Sequence, residues 1–157
     1  MNILMVCLGN ICRSPLAEGI LKHKLQSQGI KATVHSAGTS DYHVGEPADP
    51  RTIDVARKHR IDITTHRARQ FDKEDFDRYD LIYAMDQSNY DKIIRLARNE
   101  ADVKKVELYL NLSSPGSNSE VPDPYWSGKD GFEHVYQLLD HAGEKLIEKI
   151  QINNKNS

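Results

Sequence analysis

Asn2-Ile3-Leu4-Met5-Val6-Cys7-Leu8-Gly9-Asn10-Ile11-Cys12-Arg13-Ser14-Pro15 opens the chain and decides its fold. Ile3 to Val6 is a continuous apolar run, the pattern of a strand buried on both faces as in a parallel sheet. Pro15 suits a first helical position, and Ser14 suits the N-cap before it. The loop between strand and helix is short and contains one glycine. Such a loop turns consecutive backbone N–H groups toward one point, where the positive end of the helix dipole adds to them. That is a site for a phosphate dianion. Arg13 brings a planar, two-pronged contact to phosphate oxygens, and Cys7 stands at the strand end, facing what the loop holds. A thiolate under a bound phosphoryl group is a nucleophile aimed at phosphorus.

Outward from the loop, Ala17, Ile20, Leu21 and Leu25 recur at helical spacing and predict a helix ending near Gly29. Residues 32–35 read as a second strand, and residues 36–40 as a small-residue loop leaving it. Residues 50–59 have helical character. Residues 72–77 form a short helix that introduces a strand at 81–85. Asp86 suits the N-cap of the next helix, whose Tyr90, Ile93, Ile94 and Ala97 share a stripe. Residues 106–110 make a fourth strand. A long stretch rich in Ser, Pro, Gly and Asn follows at 111–131, and loops of that length in a compact domain commonly carry function. From Phe132 to Ile150 the apolar spacing traces a long amphipathic helix. One domain over residues 1–152 is expected, with a polar, frayed tail beginning near Gln151 and residues 153–157 outside the domain. Strands alternating with helices argue for an α/β fold with a parallel sheet covered on both faces. Ligands then bind beyond the carboxyl ends of the strands, where the cysteine loop lies.

At 157 residues the chain suits one domain with a proper core. Apolar residues make up 38% and charged residues 28%, which excludes a disordered composition. A net charge of −2 and the absence of a Lys/Arg cluster argue against nucleic acid as a partner. The two cysteines show no zinc spacing and are too few for a disulfide scaffold, so no metal and no cofactor is expected. The apolar N-terminal run is too short for a signal segment or a membrane span. The expected location is the cytoplasm, with no membrane partner.

A cysteine at the end of a core strand is commonly a buried structural thiol. The residues after Cys7 change that reading. Helix N-termini and adjacent cations activate thiols, and a Ser14 hydroxyl donating to the sulfur would give up its role as a cap. A cation at a helix N-terminus opposes the macrodipole, so Arg13 makes sense there only with an anion held between. Displacing phosphate from an ester also needs an acid for the leaving oxygen. Asp123, stiffened between Pro122 and Pro124, is the candidate. Alone it is an ordinary turn residue; beside a phosphate loop it reads as the general acid.

Val6-Cys7-Leu8-Gly9-Asn10-Ile11-Cys12-Arg13-Ser14-Pro15 strongly resembles the active-site loop of the low-molecular-weight protein tyrosine phosphatases. The likeness continues in Ser36-Ala37-Gly38-Thr39-Ser40, Ala84-Met85-Asp86 and Asp123-Pro124-Tyr125, and runs from Asn2 to about Ile150. The resemblance implies one three-layer domain with a four-stranded parallel sheet in the order 2-1-3-4. It implies that Cys7 attacks an aryl phosphate and forms a phosphocysteine, while Arg13 and the amides of residues 8–13 hold the equatorial oxygens. It implies that Asp123 protonates the phenolate and then activates water, with no metal required. By the same resemblance, Asn10, Ser14, Ser36 and His66 hold the loop in shape. Asp86 either orients Arg13 or only caps its helix. Tyr42, Tyr125 and Trp126 look like aromatic walls of a cleft for a phenol ring, and as loop aromatics they equally fit surface packing. The implied partners are a phosphotyrosine-containing protein or peptide as substrate, and phosphate as product and inhibitor. Members with a second loop cysteine, here Cys12, close a reversible Cys7–Cys12 disulfide under peroxide.

Two enzyme classes and one binding class compete with this reading. Thiol-cascade arsenate reductases need further cysteines downstream, and none follows Cys12. Protein arginine phosphatases tend to carry threonine at the position of Ile11, where an apolar residue favours an aryl phosphate. A non-catalytic phosphate-binding module would have lost Cys7, Arg13 or Asp123, and all three are present.

Overall fold

The computed structural model describes residues 1–155. Four strands, β1 (Asn2–Cys7), β2 (Thr33–Gly38), β3 (Leu81–Ala84) and β4 (Val106–Leu108), form one sheet in the order β2-β1-β3-β4. Every pairing is parallel. The order reverses beside β1, which places the topological switch point at its carboxyl end. Ile3, Leu4, Met5 and Val6 are fully buried, as a central strand covered on both faces requires.

The pleat sends alternate residues of β1 into two cores. Ile3, Met5 and Cys7 join the larger one, with Leu16 and Ile20 of α1 (Arg13–Ser27), Val55 of α2 (Pro50–Lys58), and Val135 and Leu139 of α6 (Lys129–Lys155). Leu4 and Val6 join the other, with Phe76 of α3 (Asp75–Arg78) and Ile93 of α4 (Gln87–Leu96). The expected three layers are present.

Several boundaries differ from the sequence reading. Strand β2 runs on through Ser36, Ala37 and Gly38, because these small residues pair with Met5, Val6 and Cys7. The fourth strand ends at Leu108, where a 3-10 turn (Tyr109–Asn111) begins. A short helix unmarked by apolar periodicity, α5 (Glu100–Lys104), is started by the Asn99 side chain accepting from the Asp102 amide. Helix α6 continues to Lys155, through the segment expected to fray. Of the polar tail, Asn156 and Ser157 lie outside the described residues. No helix among the described residues is long and apolar enough to cross a membrane.

Candidate active site

Cys7 ends β1 opposite Gly38, and the chain then turns through residues 8–12 into α1. The helix begins at Arg13 with Cys12 as N-cap, and no side chain caps its first-turn amides. Ser14, expected as the cap, instead lies buried inside the first turn. Its Oγ is 3.0 Å from Cys7 Sγ. It accepts from Asn10 Nδ2 at 2.8 Å, and its own hydrogen has the sulfur as the nearer acceptor and the Ala37 carbonyl, at 3.4 Å, as the more distant one. The Asn10 amide also reaches the sulfur, at 3.3 Å. Two donors thus converge on Cys7, and the cap is given up to supply one of them.

Asn10 holds the loop. Its φ of 57° is left-handed, a conformation asparagine tolerates better than most residues. Its side chain donates to Ser14 Oγ and to Ser36 Oγ (3.0 Å), and accepts from the Arg69 amide (3.0 Å). Its carbonyl lies 2.7 Å from His66 Nε2. Burial pushes the His66 imidazole below its ordinary pKa, against the pull of the Asn10 carbonyl and Glu18. His66 is therefore neutral near pH 7, with its proton on Nε2 and donated to that carbonyl. Ser36 Oγ in turn donates to Glu18 Oε1 at 2.6 Å. The structure brings Asn10, Ser14, Ser36 and His66 together, and adds Glu18 and Arg69, which the sequence reading passed over. Glu18 lies one helical turn after Ser14, the only signal that pointed to it.

Gly38 is part of the same scaffold. A Cβ there would stand 2.8 Å from the Leu8 carbonyl oxygen and 3.2 Å from the Asn10 amide nitrogen. The next two amides clamp the loop from the same side, Thr39 to the Cys7 carbonyl (2.9 Å) and Ser40 to the Leu8 carbonyl (3.0 Å).

Arg13 is only 3% exposed. Its Nη1 donates to Asp86 Oδ2 at 2.6 Å and to the Val121 carbonyl at 3.0 Å. The other Asp86 oxygen accepts from the Asn89 amide at 2.8 Å, and Asn89 Oδ1 accepts from the Asp86 amide at 3.2 Å, a complete capping box on α4. Asp86 therefore does both things that the sequence left as alternatives. Burial opposes the Arg13 charge, but Cys7, the Asp86 hydrogen bond and Asp123 outweigh it and hold the guanidinium above its ordinary pKa. Val121 is itself fixed by its amide, which donates to the Met85 carbonyl (2.8 Å). Two residues further on, Asp123 Oδ2 stands 3.8 Å from Arg13 Nη2, and Oδ1 accepts from the Tyr125 amide (3.0 Å).

These groups open into one cleft of about 230 Å3. Cys7 and Arg13 lie in it with Leu8, Gly9, Ile11 and Cys12, and Asp123, Tyr42, Tyr125 and Trp126 line it with them. Tyr125 and Trp126 meet edge to face at 4.9 Å. Tyr42 and Trp126 are 76% and 91% exposed, so their rings are available to a partner rather than committed to the core. His43 also lines the cleft, packed at Gly9 with its Nδ1 2.7 Å from Glu46 Oε2; its place next to Tyr42 was its only mark in the sequence. Burial pushes the Cys12 thiol up to about 12, so it is a neutral wall of the cleft at physiological pH. The described residues contain no group of three or more His, Cys, Asp or Glu side chains placed to hold a metal ion.

A thiol that two donors approach, a loop ending in a fixed guanidinium and a carboxyl group, all at one cleft, form an arrangement suited to phosphoryl transfer. Comparison with known proteins points the same way. Residues 2–156 match the family model of the low molecular weight phosphotyrosine protein phosphatases. The Schizosaccharomyces pombe protein of that name is 43% identical over 145 residues, covering 90% of this chain and 92% of its own. A protein tyrosine phosphatase from Entamoeba histolytica, crystallised with Hepes in its active site, superposes with a TM-score of 0.91 at 36% identity, over 98% of this chain and 99% of that one. Vibrio vulnificus Wzb in complex with benzylphosphonate gives 0.83 at 34% identity, over 94% and 97%. The chain belongs to the low molecular weight phosphotyrosine protein phosphatase family.

Proposed function

We propose that the chain hydrolyses phosphotyrosine in proteins or peptides, and other aryl phosphate monoesters, through a phosphocysteine intermediate. The observation that carries this reading is the convergence of Cys7, Arg13 and Asp123 on one cleft, with Asp123 Oδ2 3.8 Å from Arg13 Nη2. The phosphoryl group sits in the cradle of the residue 8–13 amides, its equatorial oxygens shared with Arg13. Cys7 Sγ forms a bond to phosphorus from one side while the bond to the phenolic oxygen breaks on the other. The Asp123 carboxyl group gives its proton to that oxygen, and the phenol leaves. Water then attacks the phosphocysteine, Asp123 takes the water proton, and the S–P bond breaks to release phosphate and restore the thiolate. Charge that develops on the equatorial oxygens meets donors already in place, so no metal is required.

Ile11 and the rings of Tyr42, Tyr125 and Trp126 support an aromatic leaving group over phosphoarginine, whose side chain offers no ring to pack. Benzylphosphonate bound to the Vibrio vulnificus relative is an aromatic phosphoryl mimic of the same class. A nucleophilic thiol needs reducing surroundings, which supports a cytoplasmic location. The proposed partners are phosphotyrosyl proteins and phosphate ion, with neither nucleic acid nor membrane.

The test is turnover of p-nitrophenyl phosphate and of a phosphotyrosyl peptide. Cys7→Ser is expected to abolish both while phosphate still binds. Activity that survives that substitution contradicts the mechanism.

A further inference from the structure

Next to the cleft, helix α2 and the first turn of α6 enclose a groove of about 380 Å3. Val55 and Phe132 supply its apolar wall, and Arg51, Lys58, Lys129 and Glu133 its polar rim. Arg51 divides groove from cleft. Its guanidinium carbon lies 4.7 Å from the centre of the Phe132 ring and 5.4 Å from that of Tyr125, which lines the cleft. Two bonds to Asp49, at 2.9 and 3.0 Å, neutralise Arg51 and fix it in that position. The two sites are thus separated by one planar side chain. The Tyr125 and Phe132 rings on its two sides are therefore at most about 10 Å apart, within the reach of roughly three residues of extended peptide.

The charges of the groove are unequally matched. Among its carboxylates, Asp54 pairs with Arg57 at 3.7 Å, and Glu133 is hydrogen-bonded to His59 at 2.9 Å and also feels the charge of Lys58. Lys58 and Lys129 are exposed, and neither is in an ion pair among the described residues. With Arg51 matched by Asp49 and Asp54 by Arg57, Lys58 and Lys129 outnumber Glu133, and this positive excess over an apolar wall complements an anionic side chain next to an apolar one. The loop that carries Asp123 runs directly into the turn that presents Lys129, so groove and cleft are built from the same segment.

We propose that this groove is a docking subsite for the substrate segment flanking phosphotyrosine, and that it selects an acidic side chain about three residues away with an apolar neighbour. The proposal rests on the reading of the cleft as a phosphotyrosine site. The acidic group meets Lys58 and Lys129, and its neighbour packs on Val55 and Phe132. Small aryl phosphates do not extend that far, so the groove acts on protein substrates alone.

The experiment measures kcat/KM for phosphotyrosyl peptides with Glu or Lys placed one to four residues to either side. Each is run with the wild-type chain and with a Lys58→Ala/Lys129→Ala variant, with p-nitrophenyl phosphate as reference. Exposed ion pairs are individually weak, so the expected preference for Glu three residues away is about fivefold at low salt. It should fall to about unity in the variant and at high salt, with p-nitrophenyl phosphate turnover unchanged. Indifference to flanking charge, or a preference that survives both substitutions, overturns the proposal while leaving the catalytic reading intact. Failure of the wild-type chain to turn over p-nitrophenyl phosphate overturns the catalytic reading itself. A dimer in sedimentation that the double substitution dissociates assigns the groove to a second copy of the chain, and also overturns the proposal.

Discussion

Asp86 uses its two oxygens for two different partners, which makes it possible to separate its roles by substitution. Oδ1 caps α4 through the Asn89 amide, and Oδ2 holds Arg13 at 2.6 Å. In Asp86→Asn the amide oxygen keeps the cap, since asparagine caps as well as aspartate. The amide nitrogen then faces Arg13 Nη1, donor against donor. The lost bond is charge-assisted and worth about 2 kcal/mol, which corresponds to roughly thirtyfold in kcat/KM. Asp86→Ala loses the same bond and the cap as well. Its kcat/KM should match that of the asparagine variant, while its stability should be lower by a further ~1 kcal/mol. For a chain of this length that difference is about 2–4 °C in melting temperature. The assay pairs steady-state kinetics on p-nitrophenyl phosphate with thermal melts of the wild-type chain and both variants. Wild-type kcat/KM in Asp86→Asn would show that Arg13 does not depend on Asp86. Identical melting of the two variants would show that the cap is idle.

Other predictions concern the loop, the acid and the second thiol. Gly38→Ala places a Cβ 2.8 Å from the Leu8 oxygen where ordinary contact begins at 3.4 Å, so the loop must shift by about half an ångström. A misplacement of 1 Å costs on the order of a hundredfold, so about a tenfold loss of kcat/KM is expected, and unchanged kinetics would argue that the loop does not rest on β2. Asp123→Ala should hurt phenyl phosphate far more than p-nitrophenyl phosphate, because the poorer leaving group needs the proton; equal losses would remove Asp123 from the role of acid. With its pKa raised by burial to about 12, Cys12 should resist iodoacetamide at pH 8 in the folded chain, only about one part in 10⁴ being thiolate. Its alkylation should accelerate about tenfold per pH unit while the chain stays folded, and mild peroxide should oxidise Cys7 first, with Cys12 then closing a Cys7–Cys12 disulfide. Mass spectrometry follows both, and irreversible Cys7 sulfonate in place of a reducible bridge would count against the disulfide.

The parts of the site that lie close together in the chain were legible in the sequence. Strand β1, the cysteine loop and Arg13 occupy consecutive residues whose apolar run, glycine and proline each signal their conformation locally. Asp123 was legible through its two prolines, and the sheet order through family resemblance. The supporting contacts were not, because they join residues far apart. Arg69 reaches Asn10 with a backbone amide, which any residue type would supply. Val121 holds Arg13 with its carbonyl, and the same limit applies. Residues 36–38 read as a loop because Ser, Ala and Gly have weak strand preference, yet pairing with β1 overrides it. In that position Gly38 also leaves room for the phosphate loop. Ser14 was assigned to the cap by a local rule that its contact with Cys7 sets aside.

In the proposed mechanism Cys7 carries the phosphoryl group between the two halves of the reaction. This role is tested most directly by rapid acid quench of Asp123→Ala during turnover of p-nitrophenyl phosphate, a substrate whose leaving group departs without the acid. The second step, deprived of its base, should then accumulate the intermediate. Mass spectrometry of the digest is predicted to find one phosphoryl group, on Cys7. A phosphoryl group on another residue, or none on Cys7 while turnover continues, would rule out Cys7 as the carrier.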